Sequence, residues 1–198
     1  MGYENQDTNL LNIVQLMQGY NLTWAICGGW AIDLFLGKVT RSHKDIDIMI
    51  PRCEQLYIQT YLYERGWSLK VAAGGNLTPW KKGIFLQLPL HCIWCHNKDY
   101  QPNFVELLLN EMDGEYFHFR RDTSIVVPAE QALLQTKQGI PILAPEIILL
   151  YKAKHDREEN DHDFRVIVGA LAPEKKGWLR DMLVNLYGHH KWVQYLER

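Results

Sequence analysis

Three carboxylates, Asp45, Asp47 and Glu106, are the residues of this sequence best suited to carry chemistry. Asp45 and Asp47 lie two positions apart in an alternating segment that is predicted to be a strand, so their side chains share one face. Like charges side by side raise each other's pKa unless a cation neutralises them. Mg²⁺ prefers oxygen ligands and is commonly held by one or two carboxylates together with phosphate oxygens. The pair therefore indicates a magnesium site, and two acids on a solvated strand face are the alternative.

Glu106 stands in the apolar run 104–109, which is predicted to be a strand. A buried carboxylate without a compensating partner is costly, so this side chain requires a partner. If the strand lies beside residues 45–50, all three acids converge on metal. A glutamate on an edge strand, paired with a lysine or arginine, is the alternative.

A glycine pair, Gly28-Gly29, separates the short apolar strand 24–27 from a predicted helix over residues 30–36. Backbone N–H groups at such a turn and at a helix N-terminus stabilise phosphate. The cationic run Arg41-Ser42-His43-Lys44 follows just before the aspartates. The order of these motifs favours a phosphate site over a plain turn, although a solvated loop explains the cationic run equally well.

The order of the predicted strands and helices indicates an α+β fold, because strands and helices do not alternate as repeated βαβ units. Further strands are expected over 67–72, 84–95, 104–110 and 115–120, and helices over 8–19 and 53–65. The texture becomes helical after Pro128, with short helices expected over 145–155, 161–171, 178–187 and 190–196. We expect a catalytic domain over residues 1–127 and a small helical C-terminal part over residues 128–198.

Composition limits the class of protein. A chain of 198 residues with 47% hydrophobic residues can bury a core without staples, and its net charge of -2 argues against a general nucleic-acid binder. The sequence has neither the start of a secretory signal nor a long apolar run, so no membrane association and a cytoplasmic location are expected.

Two cysteine and histidine clusters invite metal-site interpretations that spacing does not favour. Cys92 and Cys95 resemble half a zinc site, but no matching second pair follows, so they are expected to be packed, reduced strand residues. The polar stretch 155–163 matches no standard ligand set and is expected to be a connection between helices with capping acids.

Taken in chain order, the motifs resemble the signature of the antibiotic nucleotidyltransferases. The resemblance is carried by Gly28-Gly29-Trp30-Ala31-Ile32-Asp33, Gly37 and Arg41-Ser42-His43-Lys44-Asp45-Ile46-Asp47-Ile48. The nearest members are the aminoglycoside 2''-adenylyltransferases and the lincosamide nucleotidyltransferases, whose superfamily shares its catalytic sheet with DNA polymerase β. The resemblance is specific over residues 24–51, extends through the strand of Glu106 and is looser over 145–164.

The resemblance implies a polymerase β-like mixed sheet flanked by helices and a magnesium-dependent enzyme. It would transfer a nucleoside monophosphate, AMP from ATP, to a hydroxyl of an aminoglycoside or lincosamide, and pyrophosphate would leave. Asp45 and Asp47 would bind two Mg²⁺ ions, and Glu106 would share one of them or act as general base. The residues implied to contact the triphosphate are Gly28, Gly29, Arg41, His43, Lys152 and Lys154.

Some details of the resemblance leave alternatives open. In some relatives an aspartate occupies the position of Glu106, and Asp33 is expected to be structural, paired with Arg41 or His43. A polycationic acceptor would need an acidic pocket, for which the candidates are Glu111, Asp113, Glu115, Asp156 and Asp161. The alternative functions are a nucleotidyltransferase acting on a protein or tRNA, which near-neutral charge disfavours for tRNA, and a silent relative that only binds nucleotide or drug.

Overall fold

A mixed β-sheet forms the centre of the fold in the computed structural model, which describes residues 2–196 and their side chains from Thr8 onward. The strands are β1 (Ala25–Cys27), β2 (Asp47–Pro51), β3 (Ser68–Ala73), β4 (Asn76–Pro79), β5 (Cys92–His96), β6 (Phe104–Met112), β7 (Tyr116–His118), β8 (Val126–Pro128), β9 (Leu133–Gln135) and β10 (Pro141–Leu143). The helices are α1 (Gly2–Gln18), α2 (Gly28–Leu36), α3 (Gln55–Tyr63), α4 (Ala129–Ala132), α5 (Pro145–Lys152), α6 (Glu158–Ile167), α7 (Pro173–Tyr187) and α8 (Val193–Leu196).

The strand order is β4-β3-β5-β6-β2-β1-β10-β9, and β7 extends from β6 to pair with β8. The pairs β2–β6 and β1–β10 are parallel, whereas the other pairs are antiparallel. This mixed sheet with helices packed around it confirms the predicted α+β class.

The central strand β2 is held between β1 and β6, and its register fixes the catalytic candidates. Asp47 lies opposite Cys27 of β1 and opposite Glu106 of β6. Alternate residues of β6, among them Val105 and Leu107, are fully buried and anchor the strand in the core. The apolar side chains therefore hold Glu106 directly beside Asp47.

The helical C-terminal segments cover one side of this arrangement. Helix α5 packs against α2, α6 and α7, so residues near positions 150–165 reach the turn at Gly28-Gly29. No helix in the described part of the chain is long and apolar enough to cross a membrane.

Several element boundaries differ from the sequence prediction. The strand expected over 84–95 begins only at Cys92, because Arg52 and Gln55 donate side-chain hydrogen bonds to the carbonyl of Leu86 and hold this segment as a loop. Strand β2 begins at Asp47 rather than at Asp45, although Ile46 O still accepts a hydrogen bond from Glu106 N at 3.0 Å.

The part expected to be helical also contains β9 and β10, which follow α4 and precede α5, and β10 pairs with β1 inside the sheet. The division of the chain at residues 127 and 128 stays a prediction. The strands expected over 104–110 and 115–120 form a hairpin around Asp113-Gly114, since β7 runs antiparallel to the end of β6.

Candidate active site

A single cavity of about 830 Å³ collects most of the candidate residues. The glycine pair, the three acids and the cations Arg41, Lys44 and Lys152 all line it. The predicted convergence of the acids from two separated strands on one cavity is therefore observed.

The acids form a strongly anionic floor. Asp45 is exposed, whereas Asp47 and Glu106 are partly buried. Burial, followed by the charges of Asp45 and Glu106, raises the pKa of Asp47 to about 7. Burial and then the charge of Asp45 also raise the pKa of Glu106. Together with these raised pKa values of Asp47 and Glu106, the cluster of three carboxylates favours the binding of a cation that neutralises their charge.

Glu106 does not lie on an edge strand, since β5 and β2 flank β6 on either side. The thiol of Cys92 is a polar neighbour, with Sγ 3.7 Å from Glu106 Oε2. Burial, followed by the charge of Glu106, raises the pKa of the Cys92 thiol to about 12, so the thiol is a neutral donor. The alternative of a glutamate paired with a lysine or arginine on an edge strand is therefore wrong.

Gly28 brings the glycine turn into contact with the acids. Its φ of 64° lies in the left-handed region that favours glycine, and a Cβ there would lie 1.9 Å from Asp47 Oδ2. Helix α2 begins at this residue, and no side chain in the described part of the chain caps its N-terminus. The first N–H groups of the helix therefore lie beside the carboxylates and are available to an anion.

Arg41 is held over this turn by a buried carboxylate of the helical part. Its guanidinium donates from Nε to Asp163 Oδ1 at 2.7 Å and from Nη2 to Asp163 Oδ2 at 2.9 Å. Lys152 Nζ lies 2.9 Å from the same carboxylate, whose side chain is only 1% exposed. Burial opposes ionisation of Asp163, but the hydrogen bond from Arg41 and the charge of Lys152 prevail and lower its pKa. One anion thus positions two cations at the edge of the cavity.

A second buried pair supports the same loop. Asp33 Oδ2 lies 2.6 Å from His43 Nε2, and Asp33 Oδ1 accepts a hydrogen bond from Thr40 Oγ1 at 2.6 Å. The imidazole stacks against Trp30 with ring centroids 4.4 Å apart. The structural role expected for Asp33 is confirmed, with His43 as its partner.

Among the described residues, no group of three or more histidine, cysteine, aspartate or glutamate side chains is arranged to hold a metal ion by itself. Cys92 and Cys95 are unpaired thiols on β5, where their partly buried and buried positions match the packed strand residues expected. Asp161, from the polar stretch 155–163, instead accepts a hydrogen bond from Trp192 Nε1 at 2.8 Å.

The sequence matches one family model and several individual proteins. Residues 9–77 match the family model described as aminoglycoside-2''-adenylyltransferase. A lincosamide resistance protein of Staphylococcus haemolyticus is 26% identical over 156 residues, covering 79% of this chain and 89% of the relative. A 2''-aminoglycoside nucleotidyltransferase of Escherichia coli is 48% identical over 46 residues, which are 23% of this chain and 26% of that protein.

Solved structures agree on the fold. The antibiotic-resistance factor ANT(2'')-Ia in complex with adenylyl-2''-tobramycin superimposes with a TM-score of 0.62 at 19% identity, covering 92% of this chain and 98% of the other. The lincosamide adenylyltransferase LnuA with bound lincomycin gives 0.59 at 19% identity, covering 83% and 97%. In these stretches the sequence is similar to those of antibiotic nucleotidyltransferases. The predicted enzyme class, a nucleotidyltransferase, is confirmed by these relatives.

One candidate for nucleotide contact lies apart from this site. Lys154 is exposed and does not line the cavity, whereas Lys152 does. The reason is that α5 ends at Lys152, so residue 154 no longer follows the helix surface that faces the acids. Of these two candidates only Lys152 lines the cavity, and a nucleotide contact by either lysine stays a prediction.

Sequence reasoning missed two further sets of residues. The expected connection between helices with capping acids over 155–163 does not describe Asp163, which lies on the buried face of α6 together with Asn160, Phe164 and Ile167. Polar residues at the core spacing of an amphipathic helix were the signal that would have found it. Arg120 and Arg121 also line the cavity, and their adjacency in the sequence was the only local signal.

Proposed function

We propose that this chain is a magnesium-dependent adenylyltransferase that transfers AMP from ATP to a hydroxyl of a small molecule and releases pyrophosphate. One observation carries the proposal: Asp47 and Glu106 lie in register on adjacent parallel strands, beside the helix turn at Gly28. Acidic ligands and a phosphate-binding helix start thus share one cavity with Asp45.

The donor chemistry of the cavity fits Mg²⁺. The carboxylates are hard oxygen ligands, and the repulsion that raises the pKa of Asp47 is the kind that a divalent cation relieves. Because no three protein side chains form a metal cage by themselves in the described part of the chain, phosphate oxygens of the nucleotide would complete the coordination. When bound, Mg²⁺ would neutralise charge on the transferred phosphoryl group.

The protein residues then act mainly by position and charge. The N–H groups that begin α2 at Gly28, together with Arg41 and Lys152, hold the triphosphate against the acids. Glu106 lies next to Asp47 and accepts the proton of the acceptor hydroxyl or serves as a metal ligand. The acceptor oxygen bonds to the α-phosphorus as the bond to the pyrophosphate oxygen breaks.

Pyrophosphate release from ATP and Mg²⁺ tests the proposal, measured with a panel of hydroxyl compounds that begins with tobramycin and lincomycin. Mass spectrometry of the acceptor should show the addition of one adenylyl group. Nucleotide binding without pyrophosphate release or acceptor modification across the panel would favour a silent binding protein. A mass increase on a protein or tRNA instead would move the activity to a macromolecular acceptor.

A further inference from the structure

Beyond the three acids, the cavity is lined by a wall that carries positive charge. This distal wall consists of six residues, which are His91, Leu108, Asn110, Arg120, Arg121 and Tyr151. Asn110 lies four positions after Glu106 on β6 and on the same face, which separates the two by about 13 Å along the strand. The distance between the wall and the acids is therefore comparable to the length of a small acceptor molecule.

Hydrogen bonds build this wall from three elements. Tyr151 Oη donates to Asn110 Oδ1 at 3.2 Å and accepts a hydrogen bond from the backbone N–H of Arg120 at 3.1 Å. Arg121 Nη1 donates to the carbonyl oxygen of Tyr151 at 2.6 Å. The end of α5, strand β6 and the segment after β7 therefore fix the two arginines relative to each other.

The guanidinium groups of this wall have no anionic partner. Neither Arg120 nor Arg121 forms an ion pair within the described residues, and the Arg120 guanidinium donates no hydrogen bond there; both lie near the ring of Tyr151, at 5.6 and 5.2 Å from its centroid. Burial is the largest cause that lowers the pKa of Arg120; Tyr151 and Glu111 act in the opposite direction, and the charges of Arg121 and Arg52 lower the pKa as well. Two cations held together in a partly buried wall favour an anion from outside the chain.

None of the six wall residues is a carboxylate, and the charge of Glu111 acts on Arg120 only from outside the wall. Among the described residues that line the cavity, none of the five acids considered above for a polycationic acceptor is present. Glu111, the nearest of them along β6, binds Arg52 instead, with Nε and Oε1 2.6 Å apart. A polycationic acceptor would meet repulsion here.

We propose that the distal wall binds a carboxylate or phosphate group of the acceptor, so that the preferred acceptor is an anionic hydroxyl compound rather than a polycationic one. This inference rests on the proposed function, because it takes the turn at Gly28 as the seat of the triphosphate. In an in-line displacement the attacking and leaving oxygens lie on opposite sides of the phosphorus. With pyrophosphate at the glycine turn, the acceptor approaches from the side of Arg120.

Calorimetric titration in the presence of Mg²⁺ and saturating α,β-methylene-ATP tests this wall. The probes are glucose, gluconate, glucose 6-phosphate, inorganic phosphate and tobramycin. We expect gluconate or glucose 6-phosphate to bind at least tenfold more tightly than glucose, and tobramycin not to bind. The two anionic sugars distinguish a carboxylate from a phosphate as the preferred group.

Arg120→Gln is the informative variant, because the guanidinium makes no hydrogen bond to the described chain and its removal leaves the fold intact. It should lower the preference for anionic over neutral probes at least fivefold and leave the affinity for the ATP analogue within twofold, whereas Arg120→Lys retains part of the preference. Arg180→Gln, which removes an equal charge paired with Asp181 on the surface, should change neither.

Equal binding of glucose and its anionic analogues, or tight binding of tobramycin, would overturn the inference. It is also overturned if Arg120→Gln weakens the ATP analogue instead, or if none of the anions binds beside the analogue. Failure of the proposed function is recognised separately, because no pyrophosphate is then released from ATP with any acceptor, whether or not the analogue binds.

Discussion

Arg41 and Asp163 are 122 positions apart in the sequence and form a two-pronged ion pair at the edge of the cavity. The pair joins the loop ahead of Asp45 and Asp47 to helix α6. Because Lys152 shares the same carboxylate, a single buried anion controls the placement of both cations that face the phosphate turn.

Removing this anion should affect both stability and nucleotide binding. We expect Asp163→Asn to lower the free energy of unfolding by about 3–5 kcal/mol, because two partly buried cations lose their counter-ion. The KM for ATP should rise, since Arg41 is no longer held over Gly29. Urea unfolding and steady-state kinetics measure the two effects. Asp181→Asn, at an exposed pair, should stay within about 0.5 kcal/mol of wild type.

The pH dependence of stability should reveal the same carboxylate. The folded-state pKa of Asp163 is lowered relative to an unfolded value of about 3.9, so the unfolded chain binds more protons as the pH falls. Its contribution is therefore present above about pH 4 and is lost as the pH falls through the folded pKa. Unfolding of wild type and Asp163→Asn in urea between pH 6 and pH 2.5 should show the difference shrinking. A difference that is constant over this range would contradict the assignment.

Asp47→Asn should separate catalysis from folding. Under the proposed function Asp47 is a metal ligand, so its neutralisation should lower pyrophosphate release at least about a hundredfold. The melting temperature without Mg²⁺ should be equal to or above that of wild type, because the variant removes a carboxylate whose ionisation is opposed by burial and by Asp45 and Glu106. Differential scanning fluorimetry measures the second effect. Loss of the folded state would mean that Asp47 is structural.

The two ends of α2 provide a matched test of the glycine turn. Gly28 and Gly37 have φ values of 64° and 67°, but an added Cβ would meet Asp47 only at Gly28 and finds no atom within 4 Å at Gly37. Gly37→Ala should therefore cost only the backbone strain of about 1–2 kcal/mol. Gly28→Ala should cost more and should also abolish nucleotide binding, as followed by calorimetry. Equal losses in the two variants would refute a specific contact with the acids.

Lys152 and Lys154 allow a lysine in the cavity to be compared with a lysine on the surface. Lys152→Gln should raise the KM for ATP about tenfold, the loss of roughly 1.4 kcal/mol for one charge-assisted contact. Lys154→Gln should leave this KM unchanged, because the side chain is exposed outside the cavity. A larger rise of the KM for ATP in Lys154→Gln than in Lys152→Gln would indicate that Lys154 contacts the nucleotide.

The local parts of the site could be predicted from the sequence, because they follow from short patterns. The turn at Gly28-Gly29, the helix that ends at Gly37 and the strand around Glu106 each depend on residues close in sequence. That β2 and β6 are neighbours followed from the family resemblance, since no local pattern encodes strand pairing across some 60 residues.

The parts that escaped prediction depend on distant contacts. The loop at 84–91 is apolar enough to suggest a strand, but side chains of Arg52 and Gln55 occupy the Leu86 carbonyl. Likewise, the polar stretch that contains Asp163 is typical of solvent exposure until Arg41 and Lys152 are brought to it by the fold.

The placement of β1 between β2 and β10 has a consequence for the order of events during synthesis. A ribosome delivers the glycine bend and the aspartates early, whereas the strand that borders them, at Pro141–Leu143, and the counter-ion of Arg41 emerge roughly a hundred residues later. Nascent chains that end before Asp163 should contain the three acids but lack the carboxylate that positions Arg41 and Lys152. We therefore expect the growing chain to bind a nucleotide only after α6 has been synthesised.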